Sequence, residues 1–592
     1  MKIIQYAPPL AAALLLILFF SALPNLKYCT LPASEEKLSS NDSKRSRRNE
    51  LVFLILLCAV YTFTAFWGLG DTVAPQSFMP MEGNSVILEL DSETVPSKIM
   101  LYTGVGTGNY EFSYSQDGEN YSPLLNFEQK HSDVLKWHSL DVECDFTPSY
   151  IKIDCVSGNP WLGEIVFLDE NSRTLQICST VSDLCDEQEL CPEYESYMNS
   201  SYFDEIYHAR TAWEHLNGVW PYEISHPPLG KIIISLGIAL FGMTPFGWRF
   251  SGTLCGVLML PIMYLLLMRI FRSKTVSALG TIIFASDFMH FVQTRIATID
   301  SYAVFFILLM YLFMYGFYES GNRRDLALSG IFFGLGAASK WTCIYAGAGL
   351  AVIWLMYWIR SFIQNKDVLP WKEFIKNCLF CLLFFVAIPC VIYYFSYIPY
   401  GIAKGVGPFS KQYMQIVLDN QEFMFSYHVN VQAEHPYASR WYQWVLNIRP
   451  ILYYLQYFND GTRSSIAAFL NPVLCWGGLF SLFVLIYTAL FRGDRKASFI
   501  LVGYFAQLAP WFFIKRLTFE YHYFTSSVFL VLAIAYVFDI LRLNKKNWLK
   551  WTIPFAAVSL ALFVLFYPVL SGYPVDNILA SKLLRWLPTW PL

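Results

Sequence analysis

The stretch KRSRRNELVFLILLCAVYTFTAFWGL, residues 44–69, decides how the rest of the chain is read. Four basic residues stand just before an apolar run of 19 residues. At the ~1.5 Å rise of an α-helix, such a run crosses a hydrocarbon core roughly 30 Å thick. Lys and Arg in a short flanking loop stay on the cytoplasmic side. The chain from about residue 71 to the next span therefore lies outside.

Working outward from this span, further apolar runs lie at about 247–269, 275–293, 300–318, 326–339, 341–359, 376–397, 469–490, 498–514, 522–541 and 551–570. The basic loops RIFRSK (269–274), ESGNRRD (319–325), RSFIQNK (360–366), FRGDRK (491–496) and LRLNKKNWLK (541–550) fall on alternate connections. The sidedness closes. An earlier run, residues 7–24, follows Lys2 and is read as a retained span rather than a cleaved signal, for a total of twelve with both termini outside. Composition agrees, since 55% of the 592 residues are hydrophobic and 15% charged, against ~25% charged in an average soluble domain. A formal net charge of -3 offers no field for a nucleic acid. The expected fold class is an all-α polytopic membrane protein of about 11–12 transmembrane helices, carrying an extracytoplasmic β-sandwich insert.

The insert is residues 75–190. VILEL, KIMLYTG, YEFSYS, LKWHSLDV, YIKIDCV and GEIVFLD are short alternating pieces separated by Gly, Asn, Asp and Ser turns, the pattern of a β-sandwich. Their order resembles the discoidin-like jelly-roll family, which often binds carbohydrate. Trp137, Trp161 and Tyr121 could stack on a sugar or fill the core. Cys144, Cys155, Cys178, Cys185 and Cys191 are odd in number, so at most two disulfides form among them. The other parts are 1–74 (two N-terminal spans with a cytoplasmic basic loop), 191–246 (the remainder of the first outer loop), 247–397 (membrane core), 398–468 (a long outer loop) and 469–592 (C-terminal helices and outer tail).

All nine histidines fall outside or at the outer ends of spans under this sidedness, and the acidic residues cluster there too. A site at the outer membrane surface follows. Its densest part is SYFDEIYHARTAWEHLNGVWPYEISHPPLGK, residues 201–231. Asp204 and Glu205 open a helical pattern, where carboxylates also serve as caps. The same loop holds His226, Pro227, Pro228, Gly230 and Lys231, and the two prolines fix an extended turn that presents His226.

FDE paired with HPPLGK resembles the protein O-mannosyltransferases, of the C-type glycosyltransferase fold. SDFMHFVQTRIATIDS (286–301), SKWTCIY (339–345), AEHPYASRWYQWVLNIRP (433–450) and PWFFIKRLTFEYHYFTSSVFLVLAIAY (510–536) are similar, in order, to further blocks of that family. The loop 398–468 is too short for the β-trefoil of the fungal and animal enzymes, so the likeness is to bacterial members. The insert is not part of the basic family plan.

The resemblance implies a polyprenyl-phosphate-linked mannose or related hexose as donor, with inversion at the anomeric carbon. It further implies Ser or Thr of an exported protein as acceptor, and a multi-pass cell-membrane enzyme whose active site faces outward. No Gly-rich nucleotide loop is visible and none is needed. Asp204 is the expected general base, with Glu205 and Asp300 as further catalytic carboxylates. His226, Lys231, Arg249, Arg295, Lys340, Arg516 and His522 are the candidates for substrate contacts, chiefly around phosphate. Arg249 could equally anchor a span at the interface. Trp441, Tyr442 and Trp444 could line an acceptor groove. Asp204, Asp300, His226 and His522 offer metal-ligating types but no compact HxxxH spacing, so no metal or other cofactor is assigned. The alternatives are a same-fold transferase acting on a lipid or cell-wall glycan, a transporter or flippase, and a glycan-binding receptor. The last leaves the 201–231 constellation unexplained.

Overall fold

The computed structural model describes residues 40–91, 94–178, 182–364 and 370–592. The expected first span, 7–24, lies outside the described residues. Eight described helices are long and apolar enough to cross a membrane: Arg48–Phe66, Pro245–Phe271, Asp300–Ser320, Thr342–Gln364, Trp371–Ala403, Pro472–Arg492, Glu520–Asn544 and Leu549–Ser571. A ninth candidate is the pair Lys274–Ala285 and Phe288–Arg295, bent by 55°. Two expected spans are shorter helices, Arg323–Ser339 with 17 residues and Arg495–Leu508 with 14.

The basic connections are tight turns built by local chemistry. Gly321 and Gly493 end their helices in the left-handed conformation, and Asn322 and Asp494 cap the next ones with their side chains. Asp287 does the same at the bend, taking the His290 N–H. Helix Glu520–Asn544 is buried along its whole apolar window, as a helix apolar on every side must be.

The residues form two compact units. One holds Gly68–Glu223 and Ile232–Ser251; the other holds the described residues up to Trp67, Ile224–Lys231 and Gly252–Leu592.

The first unit contains the β-sandwich. Its strands are β1 (Met79–Pro80), β2 (Ser85–Asp91), β3 (Lys98–Thr103), β4 (Gly108–Ser115), β5 (Ser122–Gln129), β6 (Lys136–Asp141), β7 (Tyr150–Gly158), β8 (Trp161–Leu168) and β9 (Gln176–Ile177). They make antiparallel sheets of order β5-β4-β7-β2-β9 and β1-β8-β3-β6. Alternate residues of β2 (Val86, Leu88, Leu90) meet Ile99, Leu101, Ile165 and Phe167 of the other sheet in one core. Strands β3 and β8 are buried nearly throughout, because their second face is covered as well. There Met100, Tyr102, Trp137 and Val166 pack together, and Trp213 of helix Glu205–Leu216 sits edge-on to Phe78 and Trp161. Trp137 is thereby a core residue. The five cysteines of this region stand as free thiols.

In the second unit the long loop carries a 20-residue helix, Lys411–Asn430. A hairpin of β10 (Ile451–Tyr457) and β11 (Thr462–Ala468) follows, joined by β12 (Val575–Asp576) from the C-terminal tail.

Candidate active site

Asp204 sits at the mouth of helix Glu205–Leu216. Its carbonyl accepts the Tyr207 and His208 N–H groups at 3.1 Å, yet its carboxylate makes no capping bond. Phe203 just before it has φ +50°, a conformation that costs an L-residue of this bulk energy and marks a fixed turn. The acid is half-buried rather than sealed.

Glu205 is a different kind of carboxylate. It is wholly buried and faces Arg249, also wholly buried, with Nε to Oε1 and Nη2 to Oε2 both 2.7 Å. Arg249 gives its other three N–H groups to the carbonyls of Leu69, Tyr197 and Ser200. All five donors of the guanidinium are thus placed on protein acceptors. Sequence reasoning gave Glu205 to catalysis and Arg249 to substrate or the interface; the structure gives each to the other. Gly70 makes this packing possible, since a Cβ there would lie 2.8 Å from Arg249 Nη1 and 2.7 Å from Pro245.

The remaining candidates belong to the second unit. Asp300 opens helix Asp300–Ser320 and Lys340 closes helix Arg323–Ser339. Their side chains meet at 2.7 Å in a buried pair, with Lys340 Nζ also 5.7 Å from the Tyr521 ring centre. The HPPLGK turn lies beside this pair. A Cβ on Gly230 would meet Ile299 at 2.7 Å and the Ser339 carbonyl at 3.5 Å, one residue before Asp300 and Lys340 respectively. Lys231 is buried and turns back to donate to the His226 carbonyl at 2.9 Å. It braces the loop that carries His226.

Arg295 also braces. It donates to the carbonyls of Ala65, Trp67 and Ser571, the ends of two spans, where a cation offsets the helix dipole.

Arg516, His226 and His522 share surroundings with a histidine the sequence reading did not single out. His428, near the end of helix Lys411–Asn430, packs its ring 5.3 Å from His226 and bonds the Ser225 carbonyl through Nε2 at 3.0 Å. Burial pushes its pKa down to about 4, aided by the positive charges of His226, Arg516 and Lys340. Lys340, Arg516 and His226 act on His522 as well. His522 is stacked 4.4 Å from Tyr521 and lies against Trp511 and Trp444. Trp444 is buried, whereas Tyr442 is exposed. Arg516 is half-buried and gives a single long bond, 3.4 Å, to the Leu517 carbonyl. Its backbone carbonyl and those of Ile514 and Lys515 are held by Arg440. Asp300 is matched by Lys340, and Arg516 retains donors for an anion.

The sequence itself matches two family models: residues 243–399 match the dolichyl-phosphate-mannose-protein mannosyltransferase family, and residues 409–590 the C-terminal four TMM region of protein-O-mannosyltransferase. A polyprenol-phosphate-mannose--protein mannosyltransferase of Mycolicibacterium smegmatis is 27% identical over 458 residues, covering 66% of this chain and 87% of that protein. The Mycobacterium tuberculosis protein of that name is 26% identical over 450 residues, covering 66% and 86%. Among solved structures, the S. cerevisiae protein O-mannosyltransferase Pmt1-Pmt2 complex bound to the sugar donor superposes with a TM-score of 0.58 at 14% identity, over 66% of this chain and 89% of that one. The fold is that of the C-type glycosyltransferases, and with both models matched in order over more than half its length the chain belongs to the protein O-mannosyltransferase family.

Proposed function

We propose that this protein transfers mannose from a polyprenyl-phosphate-linked donor to Ser or Thr hydroxyls of an exported protein, on the outer face of the cell membrane. The observation that carries it is the placing of the cations Arg516 and Lys340 around His226 and His428 in a chain of this family. A lipid-phosphate sugar brings its own leaving group, so the enzyme must stabilise phosphate and deprotonate an alcohol. Arg516 and Lys340 supply charge to the phosphate, with His226 and His522 as hydrogen-bonding partners. Asp204 acts as the base. Attack opposite the departing phosphate inverts the anomeric carbon: the hydroxyl oxygen bonds to C1, the C1–O bond to phosphate breaks, and the proton passes to Asp204. Asp300 holds Lys340 in place, while Lys231, Arg295 and the Glu205–Arg249 pair position the chain.

The test is transfer of radiolabelled mannose from polyprenyl-phosphate-mannose to a Ser/Thr-rich peptide by the purified protein. The α- or β-linkage of the product is then compared with that of the donor. Expected are a peptide-bound mannose and an inverted linkage. Labelling of a lipid or wall glycan but no peptide would replace the acceptor and keep the fold; a retained linkage would overturn the single-displacement mechanism.

A further inference from the structure

A second group of carboxylates lies in the β-sandwich, apart from every residue given a role above. Glu164 is on β8; Asp186 and Glu187 follow the short helix Ser182–Cys185. One oxygen from each lies within 4.8 Å of the other two. Among the described residues this is the one place where three such ligand groups converge. Glu164 is wholly buried, and although its Oε2 accepts the Glu187 N–H at 3.0 Å, its Oε1 has no hydrogen-bond partner. A buried carboxylate oxygen without a donor is costly. Two further carboxylates, each with an oxygen within 4.8 Å of one of its own, make the cost greater unless a cation joins them.

The surroundings fit a cation better than a shared proton. Glu187 Oε2 already accepts from the Gln76 and Ser77 N–H groups at 2.7 and 3.3 Å, and the Ser77 hydroxyl reaches Asp186 and Glu187 at 3.1 and 3.2 Å. These donors fix the Asp186 and Glu187 carboxylates in place beside Glu164. All three ligands are hard oxygens, carried on two segments, β8 and Asp186–Glu187. Ca²⁺ takes six to eight such oxygens at about 2.3–2.6 Å in flexible geometry. Oxygens on opposite sides of one ion are then up to about 5 Å apart, the scale of the observed cluster. Mg²⁺, with shorter bonds and a strict octahedron, suits it less well.

We propose that Glu164, Asp186 and Glu187 form a Ca²⁺ site that staples the segments entering and leaving the β-sandwich, Gln76–Ser77 and Asp186–Glu187, to strand β8. Waters and main-chain carbonyls complete the shell.

The experiment uses the full chain in detergent, stripped with chelator and then titrated with Ca²⁺ by calorimetry, with thermal unfolding followed in parallel. One Ca²⁺ per chain is expected to bind. At a hundredfold excess over Kd it should raise the unfolding midpoint of the β-rich region by about 5 °C or more. Asp186→Asn, at an exposed position, should weaken Ca²⁺ at least tenfold. Glu164→Gln should abolish the thermal response while leaving the stripped protein no less stable than the parent, because it removes one of three facing charges. No Ca²⁺-dependent heat in the parent, or the parent's Kd retained in Asp186→Asn, would overturn the site. An equal response to Mg²⁺ would overturn its assignment to Ca²⁺. If Glu164→Gln does not fold, Asp186→Asn and Glu187→Gln decide the matter alone.

Discussion

Asp204 and Glu205 are neighbours in sequence with opposite fates, and single substitutions separate them. A helix-capping Asp tolerates Asn almost without loss, and Asp204 makes no capping bond to lose. Asp204→Asn should fold like the parent and bind donor, yet turn over at least about a hundredfold more slowly, the usual contribution of a general base. Turnover within about threefold of the parent in the peptide assay would remove Asp204 from that role. Glu205→Ala should act on stability instead, because it leaves Arg249 charged in a sealed site; the loss of one partner from a buried pair costs about 3–5 kcal/mol. A shift in the denaturation midpoint, with residual activity in the fraction that stays folded, is the expected result. His428 gives a pH signature. Its native pKa of about 4 lies below the ordinary 6.5, so between those values the unfolded chain binds a proton that the native one does not. Stability therefore rises with pH through this window and falls on acidification from pH 6.5 to 4. In His428→Gln that slope should flatten, as read by thermal unfolding across the same pH range.

The elements show what could be read from sequence and what could not. Six strand segments of the insert are legible in the sequence; the alternation is strict in the burial of β2, whereas β3 and β8 are buried on both faces. Strand β5 was missed: SPLLNFEQ starts with Ser-Pro and places Leu124 and Leu125 together, which breaks a period of two. Helix Lys411–Asn430 is not legible as a span, because polar residues run along it, yet it matters more to the site. Asn420 of this helix donates to the Ile224 carbonyl at 2.9 Å and accepts from the Tyr397 hydroxyl at 2.6 Å, while His428 holds the Ser225 carbonyl. The helix thus fixes the loop segment that leads into His226. Asn420→Leu removes both bonds, and since a displacement of 1 Å at a reacting centre can cost about a hundredfold, a fall in kcat between roughly tenfold and hundredfold is expected. A rate equal to the parent's would show that the helix does not position the loop. Pairings such as Glu205 with Arg249, or Asp300 with Lys340, join residues 40 or more positions apart. Residue type marked all four, but no local pattern says which will meet.

For the whole molecule, sidedness governs what the chemistry can reach. The rule that basic loops stay cytoplasmic places ESGNRRD, FRGDRK and LRLNKKNWLK inside and the sandwich, the 201–231 loop and helix Lys411–Asn430 outside. The structure adds a physical reason to take the first two loops together: each is a Gly-ended turn with a side-chain cap, too short to do more than reverse the chain. A cysteine placed at Asn171, exposed in the sandwich, and another at Arg324, exposed in a basic turn, test the assignment in opposite directions. With a membrane-impermeant maleimide and the parent chain as the background control, Asn171→Cys should label in intact cells. Arg324→Cys should label only after permeabilisation. The reverse pattern would bring Asp204 and the Arg516 surround to the cytoplasmic face, where an exported protein could be modified only before it crosses. Labelling of both from outside would break the alternation itself, and with it the pairing of spans between residues 245 and 364.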